Sequence, residues 1–137
     1  MYSLTIRREA EADIPAIREL TSRAFVGKPY SKQREAQIVE SLRDADVLTL
    51  SFIVVKGPSV AGHVAAAPVE ISDGTENWYF VGPISVAPEH QGEGVGSLLM
   101  ERALAELREL GAGGAVALGA PMLAANFPRA YLDVNRE

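Results

Sequence analysis

The chain has 137 residues, enough for one domain built around a single hydrophobic core. Hydrophobic residues make up 47% and charged residues 23%, a balance too apolar for a disordered chain. With 13 basic against 18 acidic residues the formal net charge is −5, which argues against a nucleic-acid partner, because such binding draws its affinity from neutralising phosphates. The absence of cysteine closes disulfide, thiolate–zinc, iron–sulfur and Cys-nucleophile chemistry, and it suits a reducing cytoplasm. The two histidines, His63 and His90, are too few and too far apart in sequence for an imidazole-rich metal site, so no metal is expected. The N-terminal MYSLTIRREAEAD is charged where a secretory signal would be apolar. The uncharged stretch from Leu110 to Pro128 is broken by Gly111, Gly113, Gly114, Gly119 and Pro121, so no run reaches the roughly 18 apolar residues of a membrane helix. The expectation is a soluble, cytoplasmic protein with no membrane partner.

Thr5 to Arg8 is expected to form a short first strand. Asp13 stands where a helix N-cap belongs, and Pro15 is tolerated in the first turn. Ile14, Ile17, Leu20 and Ala24 recur at helical spacing and predict one buried face, with Gly27 and Pro29 ending the helix. Ser31 is expected to cap a second helix whose Ile38, Val39 and Leu42 share a face. From Leu48 the pattern changes. Leu48–Val55, Val60–Ile71 and Trp78–Val86 read as three strands, joined by turn signals at Gly57-Pro58 and Asp73-Gly74, and predict an antiparallel meander. Roughly Gly94 to Leu110 then predicts a long helix with Leu99, Ala103, Leu107 and Leu110 on one face and Met100 and Leu104 widening the stripe. Gly111 falls where a left-handed C-terminal cap belongs. Ala115–Leu118 reads as a buried strand that this helix connects in parallel to Trp78–Val86. The fold class is therefore α/β (α+β): a mixed, mainly antiparallel central sheet flanked by helices, in one domain over residues 1–137.

The chemistry concentrates in Val86-Ala87-Pro88-Glu89-His90-Gln91-Gly92-Glu93-Gly94-Val95-Gly96-Ser97, between a strand and an amphipathic helix. Glycines at alternate positions leave backbone N–H groups uncovered at the positive end of a helix dipole, where a pyrophosphate or another anion fits without a lysine. Gln91 adds an amide donor. A mononucleotide P-loop would need Lys followed by Ser or Thr after its last glycine, and Ser97-Leu98 follows Gly96 instead. The same glycines would also serve a tight helix–sheet contact with no ligand at all. Upstream, Gly82-Pro83 interrupts an otherwise strand-like run, and a proline that cannot donate to a ladder implies a bulge or a partly unpaired stretch. Unpaired strand groups beside an anion site suit an extended amide-bearing ligand such as pantetheine on a pyrophosphate.

The run Val86-x-Pro88-x-x-Gln91-Gly92-x-Gly94-Val95-Gly96-x-x-Leu99 resembles the acyl-CoA-binding motif of the GNAT superfamily of N-acetyltransferases, whose core is Gln/Arg-x-x-Gly-x-Gly/Ala. Gly62-His63-Val64, Gly82-Pro83-Ile84-Ser85-Val86 and Val116-Ala117-Leu118-Gly119-x-Pro121 are similar to a bacterial branch of that family. The resemblance implies acetyl-CoA as acyl donor, held between two splayed strands. Backbone groups of Ile84 and Val86 would hold the pantetheine arm and the acetyl carbonyl, and Gln91, Gly92, Gly94, Gly96 and Ser97 the pyrophosphate. It implies direct attack on the thioester by a small-molecule amine or a protein amino group.

Where the branch carries an acid and two tyrosines after the last helix, this chain has Ala120, Leu123 and Ala124. Tyr131 is then the candidate acid for the departing thiolate, and Glu70 the candidate base, with Glu76 and Glu89 as further carboxylates. Family members continue into a last hairpin, so a homodimer that supplies the missing edge is one expectation. A non-catalytic acyl-CoA-binding or oligomerisation module is the alternative to an enzyme.

Overall fold

Runs of β-branched and aromatic residues alternate with amphipathic stretches along the chain, giving β1 (Leu4–Arg8), α1 (Ile14–Phe25), α2 (Glu35–Asp44), β2 (Leu50–Lys56), β3 (Ser59–Val69), β4 (Trp78–Val86), α3 (Val95–Glu109), β5 (Gly114–Ala117) and β6 (Ala120–Leu123). The computed structural model describes residues 3–29, 31–70, 74 and 76–117, and the backbone of 120–123. The strands form one sheet in chain order. Every neighbouring pair is antiparallel except β4 with β5, which run parallel and are joined by α3. This is the mixed, mainly antiparallel sheet flanked by helices that the sequence pattern implied.

Alternation along the strands sends side chains to two helical layers. On one face Phe52, Val54, Val64 and Ala66 meet Leu99, Ala103, Leu104 and Leu107 of α3, all fully buried. Burying each leucine there contributes on the order of 2 kcal/mol. On the other face Ile53 and Ala65 meet Ile17 of α1 and Val39 of α2. Gly111, at φ +81, turns the chain out of α3 in the left-handed conformation that its position in the sequence predicts.

Several local expectations are corrected. Asp13 flanks α1 but makes no side-chain cap. Its carboxylate instead accepts from the Arg7 guanidinium at 2.8 and 3.1 Å and from the Ala10 N–H at 2.6 Å, and a charged donor outcompetes a helix-end amide. Ser31 lies ahead of α2 without capping it: its hydroxyl donates to the Glu35 carboxylate. Of the α2 stripe Val39 is buried, Leu42 half-buried and Ile38 47% exposed. Leu110 is 55% exposed because α3 has already ended. After β5 the chain adds a further strand that the sequence pattern did not predict, β6, paired antiparallel to β5.

Candidate functional site

β4 has a different neighbour on each edge, and the two edges behave differently. On the β3 side pairing runs from Val69↔Trp78 to Gly62↔Val86. Between Val64↔Ile84 and Ala66↔Val81, two residues of β4, Gly82 and Pro83, oppose Ala65 alone. That is the bulge the proline predicts, since Pro83 has no N–H to give. On the β5 side the register covers only Trp78, Tyr79 and Phe80. From Val81 onward no strand adjoins that edge among the described residues.

The direction of the exposed backbone follows from alternation. A strand residue in an antiparallel pair points its N–H and C=O to the same side, and the next residue points its own to the other. The Ala87 N–H donates to the Ala61 carbonyl at 2.8 Å, on the β3 side. Ser85 therefore also faces β3, and the backbone groups of Ile84 and Val86 face the open edge.

The chain leaves that edge through a 3-10 turn at Pro88–His90 and enters α3 over Gly92 and Gly94. These two glycines adopt φ +81 and +85, and an added Cβ would meet nothing within 4 Å at either. Conformation, not crowding, demands glycine there. Gly96 has the opposite character. Its φ is unexceptional, and a Cβ would sit 3.7 Å from Val86 Cγ2, so glycine here keeps the hollow open. The N-cap Gly94 supplies no side-chain acceptor, and the first intrahelical donor is Leu98, 3.1 Å from the Gly94 carbonyl. The N–H groups of Val95 and Gly96 precede that bond and sit at the positive end of the helix.

Two open hollows of about 270 and 230 Å³ meet at Val86 and Gln91. The first is the glycine-rich start of α3, with Gly92, Gly94, Gly96 and Ser97 on its walls. The second runs along Ile84 and is closed on its far side by Ala24, Phe25 and Lys28 from the end of α1. All seven residues expected at the donor site thus line one continuous groove. The α1 wall had no motif; its signal in the sequence is the cation Lys28 just past the helix-ending Gly27.

Both acids near the loop are paired with basic side chains. Glu89 pairs with Arg23 at 2.6 Å, and Glu93 pairs with Lys56 and with His90 Nδ1, both at 3.1 Å. Hydrogen bonds from its own backbone and from Arg23 lower the Glu89 pKa, and those from Lys56 and His90 lower that of Glu93. These pairs tie the loop to α1 and β2.

His63 has a structural setting. It is fully buried, with Nε2 2.7 Å from Ser51 Oγ. Ser51 donates in turn to the Glu9 carboxylate, which Arg43 holds at 2.8 Å. A hydroxyl that donates to Glu9 accepts from His63, so Nε2 carries the imidazole proton. Burial pushes the His63 pKa down to about 4. Burial alone would raise Glu9, but hydrogen bonds from Arg43 and Ser51 outweigh it and leave its pKa lowered. Among the described residues, His63 Nδ1 and the neighbouring Ser85 Oγ are buried with no partner.

Of the two candidate catalytic residues, Tyr131 lies outside the described residues. Glu70 is exposed and follows Val69, whose register partner is Trp78, at the opposite end of β4 from Val86. At about 3.3 Å per residue, some 20 Å of strand separate that level from Ile84. The fold does not bring Glu70 to the groove.

Comparison with known proteins agrees with this geometry. Residues 14–127 match the model of the acetyltransferase (GNAT) family. The chain belongs to that family. It is 31% identical over 125 residues to the N-acetyltransferase YhbS of Escherichia coli K12, covering 90% of this chain and 72% of the relative. A crystal structure of a GNAT family acetyltransferase from Brucella melitensis in complex with acetyl-CoA superposes with a TM-score of 0.82 at 43% identity, over 88% of this chain and 78% of the other. The structure of E. coli YhbS in complex with CoA gives 0.77 at 30% identity, over 86% and 63%. Among the described residues no helix is long and apolar enough to cross a membrane.

Proposed function

We propose that this GNAT protein transfers an acetyl group from acetyl-CoA to a primary amine, on a small molecule or a protein, by direct attack. The observation that carries the reading is the continuity of the open β4 edge with the glycine-rich start of α3. One groove offers in-line backbone groups and then a cluster of helix-end N–H groups. An extended diamide arm ending in a pyrophosphate has the same sequence of needs. The crystal structures with acetyl-CoA and CoA among the relatives support the same choice of donor.

In this reading the donor supplies an activated acyl carbon and the chain supplies orientation and charge. The backbone of Ile84 and Val86 pairs with the pantetheine amides as an added strand. Gln91, Gly92, Gly94, Gly96 and Ser97 hold the pyrophosphate. The Val86 N–H is directed to the charge that develops on the acyl oxygen when a neutral amine attacks. Removing the amine's proton and protonating the departing thiolate fall to other groups. Tyr131, named by sequence, is the candidate tested by Tyr131→Phe; Glu70, which the fold does not bring to the groove, is tested by Glu70→Gln as the expected neutral change.

The experiment is an amine panel with acetyl-CoA, read by release of free thiol, run in parallel on Gly96→Val. The backbone at Gly96 accepts a side chain without strain, so this variant should stay folded while filling the groove. Turnover with at least one amine, lost in Gly96→Val with native circular dichroism, is expected. Equal turnover in both proteins would place the donor elsewhere.

A further inference from the structure

Seven of the eleven described lysines and arginines of this acidic chain pair with a carboxylate. Arg7 pairs with Asp13, Arg8 and Arg102 with Glu106, Arg18 with Glu40, Arg23 with Glu89, Arg43 with Glu9 and Lys56 with Glu93. Among the described residues Lys28, Lys32 and Arg34 take part in no ion pair. All three fall within seven consecutive positions, in the connector between α1 and α2. In a chain of net charge −5, that concentration is a local excess of positive charge.

Hydrogen bonds link the described residues of the connector. Gly27 turns the chain at φ +76, the Lys28 N–H donates to the Phe25 carbonyl at 3.2 Å, and the Ser31 N–H donates to the Lys28 carbonyl at 3.1 Å. Gln33 Nε2 donates to the Phe25 carbonyl at 2.6 Å, and Glu35 at the start of α2 is engaged by Ser31. Lys28 is half-buried and lines the same hollow as Val86 and Gln91. Among the described residues lining that hollow none is acidic, so the half-buried Lys28 meets no carboxylate there.

Resting on the donor-site reading above, we propose that Lys28 is a donor-binding residue: its ammonium meets the phosphates of the CoA donor from the α1 side, across the groove from the start of α3, with Lys32 and Arg34 widening the positive field. The assignment comes from side-chain charge and packing alone, separate from the glycine motif.

The test measures the Kd of CoA and of dephospho-CoA by calorimetry on the full chain, Lys28→Gln and Lys28→Arg, each at two salt concentrations. Lys28→Gln should bind CoA about tenfold more weakly, the value of one charge-assisted contact, and should show a shallower dependence on salt. Lys28→Arg should keep most of the affinity and the parental slope. A loss confined to CoA identifies the 3′-phosphate as the partner, and a loss with both ligands identifies the pyrophosphate. An affinity for CoA unchanged in Lys28→Gln overturns the proposal, and so does an equal loss in both variants with no change of salt slope, the mark of a packing role. Failure of the parent chain to bind CoA would instead overturn the donor-site reading.

Discussion

Gly62 couples the packing of the sheet to the geometry of the site. It lies on β3 opposite Val86, beneath the first turn of α3. Its φ is not left-handed, so the backbone would accept alanine, but the space would not. An added Cβ would stand 2.5 Å from Val95 Cγ1, 2.9 Å from Leu99 Cδ1 and 3.0 Å from the Ser85 carbonyl oxygen. Val95 and Leu99 are 1% and 0% exposed, leaving neither room to swing away. Overpacking of this kind costs about 1–3 kcal/mol, a fall in Tm of roughly 3–10 °C for a domain of this size. Because Val95 opens α3, the strain is expected to displace the helix start and weaken donor binding as well. Val95→Ala removes the shortest contact but leaves the Leu99 methyl and the Ser85 carbonyl, so rescue should be partial. Urea unfolding of the parent, Gly62→Ala, Val95→Ala and the double variant measures this directly, with the double variant more stable than additivity predicts by about 1 kcal/mol. Strict additivity, or a Gly62→Ala protein as stable as its parent, would refute the reasoning.

Two further outcomes are expected. His63 has a folded pKa of about 4 against an ordinary 6.5, so the unfolded chain takes up its proton first. The stability contributed by neutral His63 is present above pH 6.5 and lost as the pH falls toward 4, about 3 kcal/mol in all. Glu9, lowered on balance by Arg43 and Ser51, adds a loss in the same direction below the ordinary carboxylate range. Urea midpoints between pH 7 and 4.5 should therefore fall steeply for the parent and less steeply for His63→Gln; parallel curves would acquit His63. Glu70→Gln should leave turnover within about twofold, since its level on the sheet is some 20 Å of strand from Ile84. A drop of a hundredfold would mean that the acceptor's proton leaves by a route reaching the far end of β4.

Much of the scaffold was legible because its signals are local. Trp78–Val86 is bounded in the fold as in the sequence, and Pro83 announced its bulge through a missing N–H. The α3 stripe and Gly111 fixed a helix from nearest-neighbour periodicity alone. The errors arise where a distant group intervenes. Asp13 had the right position to cap α1, but Arg7, six residues upstream, takes its carboxylate. Ile38 matched its helical neighbours in polarity, yet only Val39 reaches Ile53 across the layer. The groove divides in the same way. Gln91, Gly92, Gly94 and Gly96 were readable as one candidate loop because adjacent residues build it. The wall formed by Lys28 exists only because α1 packs beside β4, and no spacing within the sequence encodes that contact.

The central claim is that one groove, from the open edge of β4 to the start of α3, binds the acyl donor. Calorimetric titration of the chain and of Gly96→Val with acetyl-CoA tests it most directly. Saturable binding at one molecule per chain, abolished by Gly96→Val while its circular dichroism stays native, is the predicted result. A folded parent that gives no binding, or a Gly96→Val protein that binds as tightly as the parent, would contradict it.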